Sequence, residues 1–215
     1  MKINGQKKKV IFLDRDGVIN KFPGFGNYVT RVKDFRFVPG ALEAIRRMTE
    51  EGYTLFVISN QAGVGKGIYS KDKLNRINRF MLNRITHNKG RIKKVFYCTH
   101  RSDYGCGCRK PEIGSIKKAL QSLRQNLHHA KGAFFVGDTD LDMMAGHNAG
   151  CRTIFVLSGK ENRRSASRWK VKPDFIARDL KEACEIIIHA YSTYENSDHS
   201  RLRRRRTHQS RRSTL

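Results

Sequence analysis

A chain of 215 residues is long enough to bury a full core without disulfides and too short for a large multidomain enzyme, so one domain is expected. Hydrophobic residues make up 38% and aromatics 9%, a lean share gathered into well-formed apolar runs, which excludes global disorder. Lys and Arg number 44 against 19 Asp and Glu, a formal net charge of +25, so the surface favours anions: nucleic acid, an anionic membrane face or phosphorylated small molecules.

Lys7, Lys8 and Lys9 lead straight into an apolar segment, with no secretory pattern after Met1. The longest apolar runs, such as Thr54 to Ile58 and Cys184 to Ile188, fall far short of the roughly 18 residues a membrane-crossing helix needs. A cytoplasmic monomer without a membrane span is expected. In chain order, short apolar runs alternate with stretches of period near 3.6, the pattern of βα units and a mostly parallel, Rossmann-like sheet in an α/β fold. Strands are predicted at Val10–Leu13, Thr54–Ile58, Lys94–Tyr97, Ala133–Val136 and Thr153–Leu157. A first helix carries Leu42, Ile45 and Met48 between Pro39 and Gly52, and a second carries Leu74, Ile77, Met81 and Ile85 behind Ser70 as N-cap. A third contains Ile116, Ala119, Leu120, Leu123 and Leu127, and shorter helices cover Leu141 to Asn148 and Leu180 to His189. These stripes are read as core. Ser158 to Lys172, with six basic residues and Trp169, is read as a mobile basic loop. The polar, Arg-rich tail after Tyr191 is expected to be disordered, and it accounts for only a small part of the positive charge.

The chemistry begins where the first strand ends, in Asp14-Arg15-Asp16-Gly17-Val18-Ile19-Asn20. Ligands of open α/β sheets bind beyond the carboxyl ends of the strands. Two carboxylates there can hold Mg2+ through hard oxygens and leave one oxygen free to attack phosphorus. Further on, Cys98-Thr99-His100 and Cys106-Gly107-Cys108 offer three thiolates and an imidazole, the donor set of a closed tetrahedral Zn2+ site. Zinc there is read as structural, bracing a loop too poor in apolar residues to fold on its own core. A redox role fits less well, since a His sits among the four positions and a cytoplasmic chain keeps its thiols reduced. Cys151 and Cys184 lie in apolar contexts and are read as core.

Asp14-x-Asp16-Gly17 resembles the first motif of the haloacid dehalogenase superfamily, and three more follow in order at strand ends: Ser59-Asn60-Gln61, Lys110 in Arg109-Lys110-Pro111, and Gly137-Asp138-Thr139-Asp140-Leu141-Asp142. The resemblance implies an aspartyl-phosphate on Asp14, with Asp16 as general acid and base and with Ser59 and Lys110 donating to phosphoryl oxygens. It implies Mg2+ held by Asp14, Asp138 and the backbone carbonyl of Asp16, with Asp142 behind them. With the Cys-x-His and Cys-x-Cys pairs, Asn27-Tyr28-Val29, Phe35 to Gly40 and Ser59 to Gly67, the chain is similar to the zinc-containing phosphatases of D-glycero-D-manno-heptose 1,7-bisphosphate and to histidinol-phosphate phosphatases, over about residues 8 to 190.

A phosphatase domain over 1–190 with a basic tail over 191–215 is therefore expected. The short interval between Asp16 and Ser59 leaves no room for a large cap, so specificity falls to the Phe22 to Asn27, Gln61 to Lys66 and zinc loops. Asn20, Asn60, Gln61 and Arg109 are the expected substrate-binding residues, Arg109 as a fork for phosphate or sugar hydroxyls. The leading expectation is release of the C7 phosphate of the heptose bisphosphate. The alternatives are a histidinol-phosphate phosphatase, a nucleic-acid 3′-phosphatase, and a basic nucleic-acid-binding protein that has kept a phosphatase scaffold.

Overall fold

The structure is a computed structural model that describes residues 9–161 and 169–192. The chain divides into two compact units, Met1–Cys184 and Glu185–Leu215. Of the second unit, residues 185–192 are described, and they are helical. The middle of the basic loop and nearly all of the expected disordered tail lie outside the described residues. No helix among the described residues is long and apolar enough to cross a membrane.

In the first unit the elements run β1 (Val10–Leu13), α1 (Ala41–Glu50), β2 (Thr54–Asn60), α2 (Lys71–His87), β3 (Ile92–Cys98), α3 (Gly114–Gln121), β4 (Phe134–Gly137), α4 (Asp140–Ala149), β5 (Arg152–Val156) and β6 (Phe175–Ala177), and residues 180–184 open a further helix. All six strands form one parallel sheet in the order β3-β2-β1-β4-β5-β6. The central strands β1 and β4 are buried along their whole length, as a sheet covered on both faces requires. Val10 and Phe12 of β1, Phe56 and Ile58 of β2 and Phe135 of β4 share one apolar cluster with Ile116, Ala119 and Leu120 of α3 and Ala145 and Ala149 of α4. The alternate residues Ile11, Leu13, Leu55 and Val57 are buried on the other face, where the pleat directs them.

The helix signals read from sequence hold at the start of α2, where Ser70 Oγ accepts from Lys73 N at 3.2 Å. Two elements differ from expectation. The third helix stops at Gln121 instead of reaching Leu127, because Arg124 takes a left-handed φ of 57° and Asn126 caps a separate 3-10 segment, Leu127–Gly132. Leu123 and Leu127 still pack on the core cluster, which is why the apolar period runs past the break. The strand β6 was not predicted. Three residues are too few to show a period, and its place beside β5 is reinforced by Asp174, whose Oδ2 accepts from Thr153 N at 2.7 Å and Oγ1 at 2.8 Å.

Candidate active site

The strand order reverses beside β1: β2 lies on one side and β4, reached later in the chain, on the other. Such a switch point opens a crevice at the carboxyl ends of the strands. Asp14 follows β1 there, its backbone N donating to Val136 O at 2.9 Å, and Asp138 follows β4. Ser59 and Asn60 end β2, and Cys98 ends β3. Both strands run further than predicted, which carries Ser59 and Asn60 to the crevice and leaves Cys98 outside its lining.

Lys110 enters from the loop before α3 and is 3% exposed. Its Nζ donates to Asp14 Oδ1 at 2.6 Å and to Ile58 O at 3.0 Å and forms an ion pair with Asp142 Oδ1 at 2.5 Å. Burial opposes its charge, but the two carboxylates outweigh burial and hold the ammonium above its ordinary range. Asn60 fixes the lysine backbone reciprocally, Nδ2 donating to Lys110 O and Oδ1 accepting from Lys110 N, each at 3.1 Å.

Carboxylate oxygens of Asp14, Asp138 and Asp142 lie within 4.8 Å of one another. Asp142 is tied up: its Oδ2 accepts from Asp138 N, Thr139 N and Thr139 Oγ1, closing the capping box of α4, while Oδ1 faces Lys110. Asp138 Oδ2 accepts from Lys160 N at 2.6 Å. Gly17 and Gly159 flank this carboxylate so closely that a Cβ on either would strike it. Asp14 Oδ2 and Asp138 Oδ1 make no hydrogen bond to a described residue. Burial pushes the Asp14 carboxyl up to about 6 against the pull of Lys110, and burial together with Asp142 and Asp14 holds Asp138 well above the usual carboxylate range. Three buried carboxylates facing one ammonium leave an excess of negative charge, and two free hard oxygens fit a divalent cation such as Mg2+.

Asp16 stands differently. Arg15, fully buried, donates from Nη2 to both of its oxygens at 2.9 Å and from Nε to Oδ1 at 3.2 Å. Asn20 Nδ2 adds a bond to Oδ1 at 2.9 Å and Gln61 Nε2 one to Oδ2 at 2.7 Å. Burial alone would raise this carboxyl, yet Arg15 and the three sets of hydrogen bonds outweigh it, and Asp16 lies below its usual value. Asn20 and Gln61 are thus buried partners of Asp16 and do not line the crevice, while Asn60 and Arg109 do. Gln61 also donates to Ser59 Oγ at 3.2 Å and accepts from Tyr69 at 2.6 Å. Ser59, used as an acceptor on that side, keeps its own proton free to donate into the crevice.

The crevice is a cavity of about 240 Å³. Asp14, Asp138 and Lys110 lie among its lining residues, and its wall includes Phe22, Phe25 and Leu141 with Lys160. Phe22 and Phe25 meet edge to face at 5.4 Å, and Lys160 Nζ lies 5.9 Å from the Phe25 ring.

Beside it, the four sulfur and nitrogen atoms of Cys98, His100, Cys106 and Cys108 converge: 3.5 Å from Cys98 Sγ to Cys106 Sγ, 3.5 Å from Cys106 to Cys108, and 3.7 and 3.3 Å from His100 Nδ1 to Cys98 and Cys108. Ligands ~2.3 Å from a tetrahedral zinc stand ~3.8 Å apart, so the cluster fits that ion. Gly65 passes so close to the Thr99 carbonyl that no Cβ would fit, and Ser115 Oγ of α3 donates to Cys108 O at 3.0 Å, so the loop is braced on both sides. All five cysteines are free thiols, and Cys151 and Cys184 are buried.

Sequence reasoning passed over Arg15, Tyr69, Gly159 and the Lys160 backbone. For Arg15 a signal existed: a charged residue at the end of a wholly apolar strand, between two carboxylates.

A family model described as "HAD-hyrolase-like" matches residues 107–183. The D-glycero-alpha-D-manno-heptose-1,7-bisphosphate 7-phosphatase of Campylobacter jejuni is 35% identical over 152 residues, 71% of this chain and 84% of that protein. The D-glycero-beta-D-manno-heptose-1,7-bisphosphate 7-phosphatase of Pasteurella multocida is 32% identical over 160 residues, again 71% and 84%. The crystal structure of the D,D-heptose 1,7-bisphosphate phosphatase from B. bronchiseptica, complexed with magnesium and phosphate, superposes with a TM-score of 0.77 at 30% identity, over 85% of this chain and 99% of that one. The chain belongs to the haloacid dehalogenase-like heptose-bisphosphate phosphatase family and is a phosphoric monoester hydrolase.

Proposed function

We propose that this protein is a Mg2+-dependent phosphatase that removes the C7 phosphate of D-glycero-D-manno-heptose 1,7-bisphosphate through a phosphoryl intermediate on Asp14. The observation that carries the reading is the Asp14 carboxylate itself: Oδ1 is held by Lys110, and Oδ2 makes no hydrogen bond to a described residue at the crevice shared with Asp138. Mg2+ held by Asp14, Asp138 and the Asp16 carbonyl would offset charge on the transferring group. In the first step an Asp14 oxygen bonds to phosphorus, the bond from phosphorus to the sugar oxygen breaks, and Asp16, having first taken up a proton from solvent against the pull of Arg15, gives that proton to the sugar oxygen. In the second, Asp16 takes a proton from water, the water oxygen bonds to phosphorus, and Asp14 is released with inorganic phosphate. Ser59 donates its free proton to a phosphoryl oxygen, and Lys110 keeps Asp14 ionised and aimed. Arg109 and Asn60 are the substrate-facing polar groups, and Asn20 and Gln61 act on substrate through Asp16.

The Cys98, His100, Cys106 and Cys108 cluster is assigned to a structural Zn2+ that shapes the loop carrying Arg109 and Lys110. Residues 1–190 form the phosphatase domain of this reading, with 191–215 as an appended basic tail. The test is phosphate release in Mg2+ from both anomers of the heptose bisphosphate, histidinol phosphate, fructose 1,6-bisphosphate and a 3′-phosphorylated oligonucleotide. A heptose preference of about a hundredfold in kcat/KM, some 2.7 kcal/mol, is expected. Preference for the oligonucleotide would overturn the sugar substrate and make the +25 charge part of the function.

A further inference from the structure

Arg15 is the largest fully buried side chain of the described core, and it follows the proposed nucleophile directly. Its Nε and Nη2 supply three of the five hydrogen bonds received by Asp16, while Nη1 is buried without a hydrogen-bond partner among the described residues, so the Asp16-facing edge of the fork is what holds the buried charge. Neighbours along an extended chain point apart. These two pair because the chain turns after β1: Gly17 takes a φ of +87°, Gly17 N donates to Asn20 O at 2.6 Å, and Asn20 N donates to Arg15 O at 3.0 Å. On its other side the guanidinium lies 5.6 Å from the centroid of the Tyr97 ring, and the Tyr97 hydroxyl is itself held by Asn78 Oδ1 at 3.2 Å. Arg15 therefore has one place to be, and a bidentate fork transmits that place to the carboxylate.

We propose that Arg15 is a positioning residue for Asp16: its fork fixes the plane of the Asp16 carboxylate so that proton transfer to the leaving oxygen is in line, without Arg15 touching substrate. Asp16 receives five contacts, three of them from Arg15, so its plane is fixed by the fork, and an accepted contact from Asn20 or Gln61 gives way when an oxygen takes the proton that it passes to the leaving oxygen. Lysine at this position would supply charge without the fork, and methionine would supply neither. The inference rests on the phosphatase reading and on Asp16 as its proton donor.

The experiment compares two esters on one enzyme preparation. Cleavage of a sugar phosphate needs a proton on the departing alkoxide, whereas p-nitrophenolate is a weak base and leaves without one. kcat/KM reports events up to departure of the leaving group, and the ratio of two kcat/KM values is independent of the fraction of enzyme that is folded. Arg15→Met is expected to lower kcat/KM for the heptose bisphosphate by about a hundredfold or more while p-nitrophenyl phosphate stays within about threefold, and Arg15→Lys should recover part of the loss. An equal fall on both esters, or no fall on either, overturns the positioning role. A wild-type protein that cleaves neither ester overturns the phosphatase reading and this inference with it, so the two failures are distinct.

Discussion

Lys110 and Asp14, separated by 96 positions in the chain, meet at 2.6 Å with both side chains almost wholly buried. The lysine reaches from a loop after β3, past Asn60 and across the end of β2, to neutralise part of a three-carboxylate cluster. Lys110→Met should therefore cost about 3 to 5 kcal/mol of stability in chelator, because buried carboxylates lose their only ammonium partner among the described residues. Activity should fall by about a hundredfold or more in the same variant. Urea denaturation and phosphate release check the two effects, and added Mg2+ should recover part of the stability but not the rate.

The same cluster makes stability depend on pH and metal together. Asp14 is raised from 3.8 to about 6 and Asp138 is raised as well. A carboxyl raised in the folded state contributes stability that is full below its unfolded value and is lost as pH rises through the folded value. Without metal, ionisation of Asp14 therefore costs stability progressively as pH rises from about 4 to about 6, the loss being complete above that, and Asp138 adds a loss of the same sign. A bound divalent cation should offset this, so the rise in Tm on adding Mg2+ is expected to be large above that pH and to shrink below it, where protons compete for the same oxygens. Thermal melts on either side of the transition, with and without Mg2+, measure this directly; an equal metal increment at both would contradict it.

Cys108→Ser should remove zinc and stability together. Elemental analysis of wild type is expected to give one zinc per chain and of the variant close to none. A structural zinc can supply on the order of 10 kcal/mol of folding free energy, so a fall in Tm of about 10 °C or more is expected. Phosphate release should fall as well, since Arg109 and Lys110 follow Cys108 directly.

Phe25 is 75% exposed at the crevice wall, where a solvated ring adds nothing to the core. A sugar seated on Asp14 would cover it. Phe25→Ala should raise KM for the heptose bisphosphate about fivefold or more with kcat and Tm unchanged, and leave glycerol phosphate unaffected. A lowered kcat with KM unchanged would remove the ring from the binding surface.

Much of this was legible because the chemistry sits at strand ends. Asp14, Ser59 and Asp138 each follow an apolar run, and a parallel sheet gathers the ends of such runs at one edge. The convergence of Cys98, His100, Cys106 and Cys108 was legible because Cys and His in tight pairs have few other uses. What stayed hidden depends on contacts remote in sequence or on turns. Asn20 and Gln61 read as substrate ligands but lie buried against Asp16, an outcome set by the Gly17 turn and by Tyr69. Asp142 Oδ2 is held by the cap of α4 and its Oδ1 faces the Lys110 ammonium, contacts that no spacing in the sequence announces. The end of α3 was invisible because Leu123 and Leu127 keep their apolar contacts after the helix has stopped.

The central claim is that phosphoryl transfer passes through Asp14. Acid quenching of the enzyme during turnover of the heptose bisphosphate, followed by peptide mass spectrometry, tests it most directly. The account expects a phosphoryl group on the peptide and residue of Asp14 in wild type, none in Asp14→Asn, and a rate for that variant lower by on the order of 10⁴ or more. A phosphoryl group on another residue, or an Asp14→Asn protein that turns over near the wild-type rate, would contradict it.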